Sequence, residues 1–345
     1  MKEAAVKKAV VEKRTGPIAE LMARHGVTAS EDEFLALVSN ALHELEAPIY
    51  DGRHPEVALQ VGPAFSEFLT DVVSSSDGRR LRILDVGCGT GFASELILDK
   101  IGGQVAELVC SDISPHMLER CRRKLAGRAA VRFVLGDVRL VAGQSRPFDL
   151  VVSCSVVHHI PHFHRFLGLV GDLVSTKGFY MMMHEPSSRF YKNPQVREPF
   201  DAFSRRRRYR RLARFVDPRT YGRWLGRRLG ISKPALSLEE QTSRLLVSRR
   251  VTCSPLTAGE IRQLVDVHVP PIHDGSVALG LPGFDPHELA SECLPQFTVR
   301  KFRSYGYFGT HFIENLPEYW QQRANEVAQK YPADGAQFCA LLQKL

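Results

Sequence analysis

Short apolar runs broken by polar or glycine residues recur through the middle of the chain, at 81–86, 108–110, 131–135, 148–153 and 179–184. Each has the length of a strand rather than a helix, and each gives way at its carboxyl end to Gly, Ser, Cys or Glu. Between the first three, 95–101 and 115–125 carry apolar residues at helical spacing. Strands alternating with helices predict βαβ units, and so a mostly parallel sheet with helices on both faces. Such a sheet binds its ligands where the strands end.

The flanks are patterned differently. Residues 1–75 look helical: Phe34, Leu35, Leu37, Val38, Leu42 and Leu45 line one face of a helix over 31–45, Pro48 closes it, and a second helix is expected over 63–73. After Glu185-Pro186 the alternation stops, and 187–250 is basic and helical in pattern. Thr257, with Glu260 three residues on, predicts a capping box opening a helix over 257–267. A glycine-rich loop is expected over 275–283, and 297–308 alternates as one late strand or two. The expected division is a helical region at 1–75, a core at 76–186, a helical cap or lid at 187–255 and a completion of the sheet at 256–345.

Composition narrows the class. At 44% hydrophobic and 24% charged the chain has the make-up of a soluble globular protein, with no apolar run long enough to span a membrane. Residues 1–14 lack the apolar centre of a signal peptide, and the seven cysteines show no CxxC pair, so a reducing cytoplasm is the expected location and no metal is expected.

The strongest local signal is Leu84-Asp85-Val86-Gly87-Cys88-Gly89-Thr90-Gly91, which follows a strand and opens a helix. Glycines there let the chain turn tightly against a ligand. A dinucleotide loop would read GxGxxG; here the spacing is GxGxG and Phe92 follows. Asp85, two residues before the first glycine, suits a cationic ligand better than a pyrophosphate. Asp112 and Asp137 end the second and third runs, where one carboxylate can accept ribose hydroxyls and the other an adenine amino group.

These motifs resemble the core of the class I S-adenosylmethionine-dependent methyltransferases over 82–185. LDVGCGTG at 84–91 resembles the family's first motif, Asp112 its second-strand acid, GDV at 136–138 its adenine motif, and FDLVVSCSVVHHI at 148–160 its fourth-strand motif. The resemblance implies a Rossmann-like α/β fold with a seven-stranded sheet and S-adenosyl-L-methionine as cofactor, S-adenosyl-L-homocysteine being its product. It implies that Asp85, Gly87, Cys88, Gly89 and Gly91 line the methionine end, Asp112 and Ile113 the ribose, Asp137 and Val138 the adenine, and that Ser155 lies near the sulfonium.

Methyl transfer requires a nucleophile aligned with the methyl carbon, and often a base. His158 and His159 follow the fourth strand and Glu185 the fifth, which makes them the catalytic candidates; Tyr50 and Arg53 lie in a stretch that folds over the cofactor in relatives, where Arg53 could pair with the methionine carboxylate. Cys154 sits inside a strand-end run and is expected to pack, and the (D/N)PP(Y/F) signature of amino-methylating enzymes is absent.

Charge enters last. The net charge is +8, and 205–228 holds eleven arginines against one acid, Asp217. A solvated face, an RNA platform, an anionic membrane surface and a clamp for an acidic small substrate all fit that run. The favoured function is methylation of a small organic molecule at oxygen, nitrogen or carbon, of the kind made in secondary metabolism. An RNA methyltransferase is the alternative, and a non-catalytic binding subunit a third reading. Salt dependence of binding separates the first two.

Overall fold

In the computed structural model, residues 16–128, 130–143, 146–213, 236–269, 279–308 and 316–345 are described. The five apolar runs become strands β1 (Leu81–Val86), β2 (Val105–Asp112), β3 (Val131–Leu135), β4 (Phe148–Cys154) and β5 (Val174–Pro186). Two more, β6 (Phe297–Tyr305) and β7 (Gln337–Lys344), complete a seven-stranded sheet in the order β3-β2-β1-β4-β5-β7-β6. β1 pairs in parallel with β2 and β4, while β7 runs antiparallel to both β5 and β6. The late stretch 297–308 is one strand, not two, because Gly306 takes a left-handed conformation (φ 78°) and ends it. The second strand comes from 337–344.

Period-two burial explains why the sheet is covered twice. Ile83, Leu150, Phe179 and Leu341 enter one core with helices α4 (Pro55–Ser74), α5 (Phe92–Ile101) and α6 (Pro115–Lys124). Their neighbours Leu84, Val151, Tyr180 and Leu342 enter the other, with α7 (Val138–Ala142), α8 (Phe163–Leu173) and, later in the chain, Pro286–Cys293. Fully buried strands need apolar residues on both faces, so they show as runs rather than as alternation.

Two further helical clusters flank the sheet. In one, α1 (Pro17–Arg24) and α2 (Glu31–Glu46) pack on helices Leu238–Ser248 and Ala258–Val265 around Met22, Phe34, Val38 and Leu264. Both downstream helices open with a capping box, Ser237–Glu240 and the expected Thr257–Glu260. In the other, helices Ser188–Lys192 and Pro194–Ala213 bury Phe190, Val196 and Phe203 against Phe308 and helix Glu318–Lys330. Of the described parts of 187–255, helices Ser188–Lys192 and Pro194–Ala213 belong to the second cluster and Leu238–Ser248 to the first. Of the arginine-rich run, Arg205 is exposed within helix Pro194–Ala213, and 214–235 lies outside the described residues. Much of the expected glycine-rich loop, 270–278, is outside them as well.

Candidate active site

The loop between β1 and α5 turns through three glycines with positive φ, at Gly87, Gly89 and Gly91. At Gly87 (φ 65°) a Cβ would lie 2.7 Å from Cγ2 of Val156, so the loop presses against the turn that leaves β4. At Gly89 (φ 53°) a Cβ would meet nothing within 4 Å. Gly89 borders a cavity of about 410 Å³, which opens over the carboxyl ends of β1, β2, β3 and β4. That is an ordinary size for a small-ligand site.

Three carboxylates reach this cavity from the strand ends, each held differently. Asp85 is 1% exposed; its Oδ2 accepts from Ser94 Oγ at 2.6 Å, and its Oδ1 has no partner among the described residues. Burial, and then the neighbouring Cys110, hold its pKa well above the usual carboxylate range. The buried hydroxyl of Ser111, also in the cavity wall, lacks a partner among the described residues too. Asp112 accepts from the backbone N–H of Gly89 at 2.8 Å and of Ser114 at 2.7 Å, one bond per oxygen, which ties the glycine loop to the end of β2. Each oxygen keeps a further lone pair for a ligand. Asp137 caps α7 by accepting from Arg139 N at 2.9 Å, and its other oxygen is paired with the Arg139 side chain.

The histidines form a second cluster. Glu185 is fully buried, and one oxygen accepts from the N–H groups of Val156 and Val157, both at 2.9 Å. The other accepts from His158 N at 3.1 Å and lies 2.8 Å from His158 Nδ1. Burial pushes Glu185 up, but His158 and these backbone donors hold it below the usual range. It thus organises the turn 156–158; neither Glu185 nor His158, both catalytic candidates by sequence, lines the cavity. His159 does line it. Its Nδ1 is 2.7 Å from the carbonyl of Val265 and 3.2 Å from Asp266 Oδ1. Burial alone would lower its pKa; the Asp266 carboxylate outweighs that and raises it.

One face of α2 roofs the cavity with Asp32, Leu35, Ala36, Ser39 and His43, residues spaced three or four apart. His43 lies edge-on to His159, ring centroids 6.4 Å apart. Burial, then the charge of His159, brings its pKa down to about 4, which keeps it neutral near pH 7. Beyond α2, helix α3 (Tyr50–Arg53) is fastened to the glycine loop: Asp51 accepts from Thr90 Oγ1 at 2.5 Å and pairs with Lys124 at 2.8 Å. Tyr50 lines the cavity, but Arg53 is spent on the buried Glu46 at 2.9 Å, away from it.

Of the residues read from sequence, Asp85, Gly87, Cys88, Gly89, Asp112, Ile113, Asp137, Val138, Ser155 and His159 all line this cavity. Gly91 does not; it is the left-handed N-cap of α5, and a Cβ there would sit 2.9 Å from Cys121 Sγ. Cys154 lines the cavity as a thiol that burial holds protonated, its pKa well above the ordinary value. The reading missed His43 and Asp266. His43 has a signal in retrospect, a polar residue on the apolar stripe of α2, whereas nothing local marks Asp266. Among the described residues, His158, His159 and Asp266 bring ligand-type atoms within 4.8 Å of one another, a grouping that sequence spacing could not reveal.

Residues 83–178 match a family model described as a methyltransferase domain. A malonyl-[acyl-carrier protein] O-methyltransferase of Paenibacillus is 27% identical over 152 residues, 40% of this chain and 54% of its own length. A hybrid PKS-NRPS synthetase of Aspergillus flavus is 31% identical over 108 residues, 30% of this chain and 3% of its own length. The chain thus spans about half, or a small fraction, of these relatives. Among solved structures, the magnesium protoporphyrin IX methyltransferase of Synechocystis with bound SAM is 20% identical, covers 37% of this chain and 59% of its own, and aligns with a TM-score of 0.30.

Proposed function

We propose, from the premise that residues 83–178 form a methyltransferase domain on a class I α/β sheet, that this protein transfers a methyl group from S-adenosyl-L-methionine to a small organic molecule. The observation that carries the reading is the unpartnered Oδ1 of Asp85, buried in the cavity wall beside the glycine loop, with Asp112 at the end of the neighbouring strand. A buried acceptor without a donor is costly, and a ligand with a cationic amine and a ribose relieves it.

The donor set fits the cofactor. Asp85 and the Gly87–Gly89 turn would hold its methionyl end, with Ser155 near the sulfonium. Asp112 and Ile113 would take the ribose, and Asp137 with Val138 the adenine. Val138 begins a helix, so its N–H has no acceptor within that helix and would suit a ring nitrogen. When bound, S-adenosylmethionine supplies a methyl carbon already activated by its sulfonium. The protein's own task is then to exclude water, align a nucleophile and accept a proton. Helix α2 excludes water, His159 is the proton acceptor, and Glu185 with His158 fixes the turn that presents it.

Leu35, Phe166, Leu169, Leu264 and Val265 give the cavity apolar walls, and His43 with His159 provides its polar centre. This lining suits an apolar body bearing an ionisable O–H or N–H. The names of the relatives, a carrier-protein O-methyltransferase and a polyketide-peptide synthetase, point toward the same size class. Titration calorimetry with S-adenosylmethionine, S-adenosylhomocysteine and NAD tests the reading. Micromolar binding of the first two and none of NAD is expected; binding of NAD alone would overturn it.

A further inference from the structure

Asp266 follows the last turn of helix Ala258–Val265, at its C-cap. A carboxylate there meets the negative pole of the helix and is disfavoured by it. Capping the helix would require only that His159 donate to the Val265 carbonyl, which it reaches across 106 residues of sequence. The acid beside that carbonyl calls for a separate reason.

We infer that Asp266 is the positioning residue of a dyad in which His159 takes a proton from the substrate, a role that rests on the methyl-transfer reading above. A ring nitrogen 2.7 Å from a carbonyl oxygen must carry a hydrogen, because two lone pairs would repel at that distance. Nδ1 of His159 is therefore a donor, shared between Val265 O and Asp266 Oδ1. The neutral ring is left with one lone pair, on Nε2. In the step, the electron pair of the substrate's O–H or N–H bond stays on its heteroatom and the proton bonds to Nε2. The imidazole gains one positive charge, which Asp266 offsets.

The groups around the ring agree with this. The His158 ring lies tilted beside it with centroids 4.0 Å apart, His43 meets it edge-on from α2, and Glu185 and Asp112 add negative charge from β5 and β2. Glu46 and His54 lie behind His43. A divalent cation among His158, His159 and Asp266 is the competing use of the cluster; bound through Nδ1 of His159, it would displace the proton that the Val265 carbonyl holds in place.

The test uses the full chain with histidines labelled in ¹³C and ¹⁵N, saturated with S-adenosylhomocysteine, with His159→Gln to assign the signal. The neutral ring of His159 is expected as the Nδ1–H tautomer, titrating above an ordinary histidine. Asp266→Asn is expected to lower that midpoint by about one pH unit, since an opposite charge at this range is worth one unit or more. The same variant should move the acid limb of turnover to lower pH, for whichever substrate the methyl-donor screen identifies, and leave S-adenosylhomocysteine affinity unchanged. An Nε2–H tautomer, or an unmoved midpoint in Asp266→Asn, would overturn the dyad. So would a cobalt(II) absorption band that the wild type shows and His159→Gln abolishes. Failure of the methyl-transfer reading is visible separately, as wild type that does not bind S-adenosylhomocysteine.

Discussion

At the scale of single residues, the site is built from acids with different obligations. Asp112 holds two backbone N–H groups and offers its remaining lone pairs outward. Asp112→Ala should weaken binding of S-adenosylhomocysteine by at least tenfold in calorimetry, equivalent to about 1.5–3 kcal/mol for charge-assisted hydrogen bonds. Glu185 is the opposite case, a buried carboxylate whose four contacts are all internal. Glu185→Ala strands three backbone donors and a ring nitrogen, so unfolding in urea should show a loss of about 3–5 kcal/mol. His159 has a signature in pH. With its folded pKa raised, its contribution to stability is complete below the unfolded value of about 6.5 and is lost as pH climbs through the folded value. A proton acceptor must be neutral, so turnover should rise over the window in which that stability falls. Melting temperatures of wild type and His159→Gln should converge above it.

Elements explain what the sequence could and could not disclose. The glycine loop and the acids at 85, 112 and 137 were legible because one βα unit after another delivers a strand end to the same edge of the sheet. A local motif there is already a site. Asp266 was illegible because it reaches His159 only through the packing of Ala258–Val265 on α2 and Leu238–Ser248. Strand β7 was illegible for a related reason: QFCALLQK is short, stands alone after a helix, and is given its place by pairing on both sides. The helical roof can be tested as an element. Phe34 is fully buried among α1, α2 and the two downstream helices. Phe34→Ala should cost about 3–5 kcal/mol in urea unfolding, as large core truncations do. It should also loosen the wall that carries His43.

For the whole molecule, the uneven charge makes a prediction that needs no geometry. The arginine-rich run at 205–228 largely lies outside the described residues, and its use is an ionic-strength question. If the substrate is a small molecule, its KM should change little between low and moderate salt. RNA binding through that run would instead weaken by orders of magnitude over the same range. A KM that climbs steeply with salt would count against the small-molecule reading.

The place of β7 has a consequence for assembly. A ribosome delivers β6 before β7, yet β7 lies between β5 and β6 and bonds to both. Until residue 344 has been made, β5 and β6 each present a bare row of amide and carbonyl groups, the kind of edge that recruits a second chain. Long-range pairing such as that of β7 with β5 is slow to form in any case. The nascent protein must therefore carry the open edge of β5 from residue 186 onward, joined by that of β6 from residue 305, and its yield in a cell should depend on how well chaperones shield them until β7 inserts.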